Sequence, residues 1–173
     1  MKAIVIYKSK TGFVKKYAEW IAEELAADLF EASKVTSDML AAYDIVIFGG
    51  GMYAVGINGV KLISKNFDNL KTKKVVVFAT GASPAREEVI HEVLDKNFTS
   101  EQQKYIKFFY LRGGFDYSKL SLLNKVLMKM LKWKLKRKTK LTPDERGMLA
   151  AYDTPVDFTR KKNIGELIAY VKV

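Results

Sequence analysis

A short run of hydroxyl-bearing and small residues, SKTGFV, separates an apolar run from a segment with helical periodicity. Ser9 and Thr11 offer hydroxyl donors, and Gly12 allows the chain to turn tightly into the helix. The first amides of a helix have no partner inside it, and the helix dipole favours an anion there. The run therefore predicts either a phosphate site or an ordinary strand-to-helix turn with a hydroxyl cap.

Two further loops of small residues follow apolar runs. The first is GGGMYAVG at 49–56, where the glycines permit close approach of a ligand. The second is ATGASP at 79–84, which leaves room for a flat ring on which Tyr53 of the other loop could stack. All three loops follow strands of one predicted sheet, and this joint placement is more specific than any single loop.

The elements that position these loops alternate between strands and helices. Four apolar runs are short and continuous, as in parallel strands covered on both faces, and a weaker strand is predicted at 28–32. This alternation predicts a doubly wound α/β sheet whose ligands bind at the carboxyl ends of the strands. The four strands are predicted at 3–7, 44–49, 74–80 and 106–111, and the helices at 12–27, 57–68, 84–97 and 160–171. In the third of these helices Ser83 is the expected cap and Pro84 lies in the first turn.

The composition excludes several kinds of site. Cysteine is absent and His91 is the one histidine, so thiolate nucleophiles, disulfides, histidine zinc sites and serine–histidine triads are not expected. Lack of cysteine fits a reducing compartment. The chain shows no secretory signal and no apolar segment of the ~20 residues that span a bilayer. With 173 residues, about half of them apolar, it is expected to form a single domain over 1–173.

The stretches IVIYKSKTGFVKKYAEWIAEEL, IVIFGGGMYAVGI and VVVFATGASP resemble the flavodoxin superfamily. They are most similar to the flavodoxin-type protoporphyrinogen IX dehydrogenase group, also called protoporphyrinogen oxidase. The resemblance covers most of the chain and includes a basic insertion before the last helix, predicted at about 116–155. It implies a flavodoxin-like, doubly wound sheet of five parallel strands, FMN as the cofactor, no metal and no catalytic side chain.

The same resemblance assigns phosphate binding to the first loop and ring binding to the other two. Val14 departs from the family pattern, which usually has threonine there, so one hydroxyl bond to the phosphate is lost. Such a bond is worth roughly 1.5–3 kcal/mol, so FMN affinity should fall by about one to two orders of magnitude unless a lysine compensates. The residues expected at the cofactor, including Lys10 for its charge, are Ser9, Lys10, Thr11, Gly12, Phe13, Val14, Gly51, Met52, Tyr53, Ala54, Thr80, Gly81 and Ala82.

Other phosphate-binding families fit the residues poorly. GMYAVGIN lacks the Lys–Ser/Thr ending of a P-loop, and no G-x-G-x-x-G follows the first strand. A response regulator shares the predicted topology but needs acidic residues after the first strand. This chain has Tyr7, Lys8 and Ser9 at that place.

The net charge of +11 is concentrated between Phe115 and Leu141, where nine basic residues and one acidic residue give +8. At about 100° per residue, Lys125, Lys129 and Lys132 share one stripe with Lys136, and a wide apolar face fills the remaining arc. Three interpretations remain open for this segment. It is a helix packed on its own domain with solvated lysines, a basic amphipathic helix on an anionic membrane surface, or a nonspecific nucleic-acid binder without base-reading side chains.

Together these features predict an FMN-binding redox protein in which the flavin carries the chemistry. The resemblance implies an oxidoreductase acting on an anionic small molecule such as a porphyrinogen, with a quinone acceptor. The alternatives are a non-enzymatic electron carrier that docks on an acidic or membrane partner, and a flavodoxin-fold module that has lost FMN. We expect a cytoplasmic protein whose helix at 120–140 is the candidate for contact with the inner face of the membrane.

Overall fold

The computed structural model describes residues 1–84 and 86–173 of the chain. Five parallel strands form a central sheet, one short strand folds back on it, and two more form a separate antiparallel ribbon. The strands are β1 (Ala3–Lys8), β2 (Asp28–Glu31), β3 (Ile45–Tyr53), β4 (Gly56–Ile57), β5 (Lys74–Gly81), β6 (Ile106–Arg112), β7 (Gly114–Phe115) and β8 (Val156–Asp157).

Helices cover both faces of this sheet. Short 3-10 turns also occur at Ala32–Lys34, Tyr117–Lys119 and Lys161–Ile164. The helices are α1 (Phe13–Leu25), α2 (Ser37–Ala41), α3 (Lys61–Lys65), α4 (Phe67–Leu70), α5 (Glu87–Asn97), α6 (Ser100–Tyr105), α7 (Leu122–Lys136), α8 (Pro143–Ala151) and α9 (Gly165–Lys172).

The sheet order β2-β1-β3-β5-β6, with every neighbouring pair parallel, confirms the predicted doubly wound α/β fold. Successive residues of each strand point to opposite faces, and both faces are buried. In β1, Ile4 and Ile6 lie in the core beneath α2–α5, whereas Val5 lies in the core beneath α1 and α9. Burial on both faces is the reason that the strands read as continuous apolar runs.

The helix predicted at 57–68 is wrong over its first four residues. Ile57 belongs to β4, which pairs antiparallel with the end of β3, and Gly59 has a left-handed φ of 83°. Helical structure begins only at Lys61, and Asn66 separates α3 from α4 while its side-chain amide donates to the carbonyl of Leu62 at 2.7 Å.

Two other helix boundaries also differ from the prediction. The helix predicted at 84–97 begins at Glu87 with Arg86 at the capping position, so Ser83 and Pro84 precede it; position 85 lies outside the described residues. The last predicted helix, 160–171, starts as a 3-10 turn and becomes α-helical at Gly165. The short α6 was not predicted, although a reciprocal cap between Thr99 and Gln102 begins it.

The insertion predicted at about 116–155 forms α7 and α8, which contact each other. Its two ends are held together by the ribbon in which Gly114 pairs with Asp157 and Phe115 with Val156. The same ribbon lies next to the end of β5, because the amide of Gly113 donates to the carbonyl of Gly81 at 2.8 Å. The insertion is therefore attached at the edge of the sheet where the three predicted loops lie.

Candidate functional site

The carboxyl ends of four strands lie level with one another at this edge. In the sheet register Lys8 of β1 is the partner of Gly50 in β3, and Gly51 is the partner of Thr80 in β5. Gly81 in turn is the partner of Arg112 in β6. The structure therefore brings the first, second and third predicted loops together, and it adds the end of β6 to them.

The first loop leads into α1 with several donors left over. Gly12 caps the helix in a left-handed conformation with φ of 96°, and its amide donates to the hydroxyl of Ser9 at 3.1 Å. The intrahelical series begins with the amide of Lys16, which donates to the carbonyl of Gly12 at 3.0 Å. Within the described chain, the amides of Phe13, Val14 and Lys15 have no hydrogen-bond acceptor. Three backbone donors at a helix start suit an anion.

The side chains of Phe13 and Val14 do not point to this anion site but into the protein. Val14 is only 3% exposed and packs in the core beneath α1. Phe13 places its ring against Gly114, so close that a Cβ at Gly114 would lie 2.6 Å from the ring. In the present sequence these two residues offer an anion site their backbone amides and no side-chain donor.

The lysines near the first loop are engaged to different degrees. Lys15 pairs with Glu19 at 3.7 Å and Lys16 pairs with Asp157 at 3.0 Å. The ammonium of Lys10 lies 4.9 Å from the ring centroid of Tyr53 and is in no ion pair among the described residues. Lys10 is thus the loop lysine whose charge remains available, and it links the first loop to the second.

The three glycines predicted to begin the second loop lie instead in the strand, because β3 continues to Tyr53. Gly49 is needed because the ring of Phe78 occupies the space of its missing Cβ. A Cβ at Gly50 would meet the carbonyl oxygen of Asn58 and a methyl group of Ile57, each at 2.6 Å. Packing inside the protein therefore explains Gly49 and Gly50. A Cβ placed on Gly51, by contrast, would have no group nearer than 3.6 Å.

The turn itself is shorter than predicted and consists of Ala54 and Val55 between β3 and β4. Ala54 adopts a left-handed conformation with φ of 49°. Tyr53 is half-buried, and burial raises the pKa of its hydroxyl above the ordinary value. Its ring and the Val14 side chain are the groups nearest to a Cβ placed on Gly51, so the end of β3 lies beside the start of α1.

The third predicted loop begins as the end of β5. Thr80 is buried. Gly81 lies between two side chains, because a Cβ placed on it would be 2.5 Å from the Tyr110 hydroxyl and 3.2 Å from the Met52 methyl group. Met52 therefore brings the second and third loops into direct contact. The Ala82 carbonyl accepts a hydrogen bond from the Nε of Arg112 at 3.2 Å, so the loop is held from β6.

Tyr110 and Arg112 were missed by the sequence analysis. The Tyr110 hydroxyl donates to the carbonyl of Ser83 at 2.6 Å, and burial raises the pKa of Tyr110 to about 12. The guanidinium of Arg112 lies 3.8 Å from the ring centroid of Phe158, which follows β8. The rule that placed the other loops at this edge applies equally to the strand at 106–111, so the signal was present in the sequence.

A cavity of about 360 Å³ lies between the third loop and the insertion. Its lining is mainly apolar and comes from Ala82–Pro84, Phe115 and the inner side of α8, with Arg112 as a cation and Asp144 as an anion. Arg86 and Asp144 form an ion pair between the third loop region and the start of α8. The cavity adjoins the third loop but does not include Gly51–Ala54.

One buried polar group beside the second loop lacks a partner. The side-chain amide nitrogen of Asn58 is buried and makes no hydrogen bond within the described chain. The backbone amide of Asn58 donates to the carbonyl of Gly51 at 3.0 Å, which places this residue next to the predicted ring site. A buried donor without an acceptor is costly, which makes Asn58 a candidate donor to a bound group.

Residues 4–142 match the family model described as a flavodoxin domain. An uncharacterized protein of Methanocaldococcus jannaschii is 32% identical over 120 residues, which cover 68% of this chain and 79% of the relative. Among the described residues, no helix has the length and apolar character needed to cross a membrane.

Solved structures with a similar fold include three flavoproteins. The two-electron reduced flavodoxin of Megasphaera elsdenii has a TM-score of 0.47 at 17% identity and covers 62% of this chain and 84% of its own. A flavoprotein of Lactobacillus acidophilus in complex with FMN has a TM-score of 0.43 at 20% identity, covering 64% and 91%. Flavodoxin 1 of Bacillus cereus has a TM-score of 0.46 at 17% identity, covering 77% and 94%.

The family assignment rests on the sequence matches, since they cover most of the chain. The flavodoxin part of the predicted resemblance is confirmed by them. The chain belongs to the flavodoxin-domain family.

Proposed function

We propose that this chain is an FMN-binding redox protein. The observation that carries the proposal is the convergence of three strand ends beside a helix start with free amides. Gly51 and Thr80 are register partners, and Val14 lies 3.8 Å from the Cβ position of Gly51. Membership of the flavodoxin-domain family supports the same cofactor. The cofactor is FMN, with its phosphate at the first loop and its ring at the second and third.

The residues present fit the phosphate of FMN. The amides of Phe13, Val14 and Lys15 are free to donate, and hydrogen bonds from backbone amides to a charged group are strong. The Thr11 hydroxyl makes no hydrogen bond among the described residues. Lys10 adds a cation that no carboxylate of the described chain neutralises.

The space between the second and third loops would fit the flavin ring after the side chain of Met52 moves. Met52 contacts Gly81 and therefore fills the space between the second and third loops. Its three rotatable bonds make it an adaptable side chain, so it can turn aside for a ring. Tyr53, which already lies over Lys10, offers an aromatic face to that ring.

FMN, when bound, supplies one-electron and two-electron transfer. The protein supplies position and environment. Backbone amides of α1 would hold the phosphate, and as donors they do not change with pH because they do not titrate. Gly81 leaves space for the Tyr110 hydroxyl and the Met52 methyl group, and the half-buried Tyr110 supports the third loop through Ser83.

The direct test is the absorption spectrum after reconstitution. Purified protein is mixed with excess FMN and passed through gel filtration, and the flavin absorbance is compared with the protein absorbance. We expect oxidised flavin to travel with the protein and to be reduced by dithionite without being released. Flavin that separates completely would instead favour a flavodoxin-fold module that has lost FMN.

The finer proposal is an oxidoreductase that acts on an anionic small molecule, as the resemblance to the protoporphyrinogen IX dehydrogenase group suggests. It is supported by the apolar cavity beside Ala82 and by Arg112 in its lining. A guanidinium binds carboxylates in a bidentate manner, so Arg112 suits a propionate substituent. Arg112 also holds the third loop, which places any bound anion next to the ring site.

Oxidation of protoporphyrinogen by the FMN-loaded protein, with a quinone as acceptor, tests this assignment. We expect multiple turnovers, and we expect Arg112→Lys to raise KM more than it lowers kcat. Absence of porphyrinogen oxidation by fully FMN-loaded protein would reject the assignment. Reduction by a donor and reoxidation by an acceptor protein, with no such turnover, would indicate a non-enzymatic electron carrier.

A further inference from the structure

The outer side of α7 is an exposed apolar surface. Six large apolar side chains of this helix are between 55% and 85% exposed. Outside α7, the large apolar side chains that are exposed in the described chain are two tyrosines and the two terminal residues. We define the outer face of α7 as Leu122, Leu123, Val126, Leu127, Met130 and Trp133.

The domain already uses a different side of this helix. At 100° per residue the outer face covers an arc of about 140°, which also contains Lys134 near the carboxyl end of the helix. Leu131 and Leu135 lie beyond this arc on the inward side. Leu135 is buried, and Leu131 is partly buried. The hydroxyl of Tyr152 donates to the carbonyl of Met128 at 2.6 Å, which fixes the inward side against the end of α8. Packing on its own domain therefore explains the inward side and leaves the outer face unexplained.

The outer face is bordered by cations without partners. Lys125, Lys129 and Lys136 lie along one border of the arc, and none of them is in an ion pair within the described chain. The guanidinium of Arg137 lies 3.6 Å from the ring centroid of Trp133, at the carboxyl end of the face. By contrast Lys132 pairs with Asp153 at 3.2 Å, and it lies on the domain side.

We propose that the outer face of α7 docks the protein on the surface of an anionic lipid bilayer. A bilayer offers what this face lacks, which is apolar depth for six side chains and negative headgroups for the bordering cations. A second copy would bring the same uncompensated cations together, so like charges oppose pairing through this face. The helix lies in the plane of the surface, with Trp133 at the depth of the headgroups.

Vesicle sedimentation tests this proposal with the full-length protein. One set of vesicles is phosphatidylcholine alone and the other is phosphatidylcholine mixed with phosphatidylglycerol, each at low and high salt. We expect strong binding only to the mixed vesicles, weakened by salt because the charges at a surface are screened. The tryptophan emission should shift to the blue on binding, and Trp133→Phe, which keeps Trp20, should abolish that shift.

Two variants separate the apolar and the basic contributions. The double change Val126→Gln with Met130→Gln should abolish sedimentation with either vesicle. The triple change Lys125→Gln, Lys129→Gln and Lys136→Gln should weaken binding by roughly 100-fold, since each basic residue near the surface contributes about fivefold. The control lowers the charge equally at exposed lysines elsewhere, through Lys34→Gln, Lys65→Gln and Lys104→Gln, and should bind as the wild type does.

Several results would overturn the proposal. Equal binding to neutral and anionic vesicles would do so, as would no binding to either. An equal loss of vesicle binding in the control triple variant would show that binding depends on the overall charge and not on the border of the outer face. A concentration-dependent dimer that the Val126→Gln, Met130→Gln variant dissociates, without vesicle binding, would assign the face to a second copy. Circular dichroism of each variant confirms that a loss of binding is not a loss of folding.

Discussion

The aromatic ring of Phe13 lies in the space left by the missing side chain of Gly114, where a Cβ would be 2.6 Å from two ring carbons. Phe13 is the first residue of α1, and its amide is one of the free donors of the predicted phosphate site. Gly114 belongs to the ribbon at which the insertion leaves the sheet. The anion site and the insertion are therefore mechanically connected through one ring.

Gly114→Ala should disturb both parts at once. The new methyl group would collide with the Phe13 ring and with the carbonyl oxygen of Val156, so backbone and ring must shift. We expect a loss of about 1–3 kcal/mol in the free energy of unfolding, as for overpacked sites, together with weaker FMN binding. Urea denaturation and a flavin titration measure the two effects.

The matched control is Gly147→Ala. Nothing lies within 4 Å of a Cβ placed on Gly147, which is inside α8. Alanine is a better helix former than glycine, so this variant should gain roughly 0.5–1 kcal/mol and bind FMN as the wild type does. An unchanged stability of Gly114→Ala would show that the close approach of Phe13 is not a constraint.

Val14→Thr should lower the stability of the FMN-free protein and strengthen FMN binding. The Val14 side chain is buried, so a hydroxyl there costs about 1–3 kcal/mol in the absence of FMN. If the hydroxyl reaches the phosphate, FMN should bind roughly 10-fold to 100-fold more tightly. Val5→Thr, in the same core but on β1, should carry the stability cost without the gain in affinity. Equal FMN dissociation constants for Val14→Thr and the wild type would refute the expected role of this position.

Asn58→Ala should leave the FMN-free protein about as stable as before, because the amide it removes has no partner within the described chain. FMN binding should weaken by about 10-fold if this amide donates to the cofactor. Asn124→Ala removes the other buried amide without a partner, which belongs to α7, and should not change FMN affinity. A flavin titration of the two variants that gives the same affinity would remove Asn58 from the site.

Alkaline pH should destabilise the protein partly through Tyr110. Burial raises the pKa of Tyr110 to about 12, so the unfolded chain, with an ordinary pKa near 10, loses the proton first. The contribution of Tyr110 to the free energy of unfolding is therefore fully present below about pH 10 and decreases between about pH 10 and pH 12. Tyr110→Phe should be less stable near neutral pH, since the bond to Ser83 is lost, but its stability should decrease less in that alkaline range. Urea midpoints of both proteins across this pH range test the difference, and parallel curves would contradict it.

Much of the fold was predictable because its determinants are local. The apolar runs at 3–7 and 74–80 are strands, and the helix after SKTGFV begins where Gly12 indicated. The end of β3 was not predictable from its glycines, which look like a loop. Only the packing of Phe78 over Gly49, residues distant in sequence, explains why a strand needs glycine there.

The candidate site was predicted less completely than the fold. Val14 was assigned to the phosphate loop, but its side chain belongs to the core, because helical periodicity turns it inward together with Tyr17 and Ala18. Tyr110 and Arg112 were overlooked, although the topology rule includes their strand. The wide apolar face of α7 was visible in the sequence, but which part of it meets the domain depends on contacts with α8 such as that of Tyr152.

The proposed role of the first loop and the start of α1 is to hold the phosphate of FMN. A parallel fluorescence titration of the protein with FMN and with riboflavin, which lacks the phosphate, tests it most directly. FMN should bind with one equivalent per chain, and riboflavin should bind at least about 100-fold more weakly, since several bonds to a charged group are lost. Equal affinity for the two flavins, or binding of neither, would contradict it.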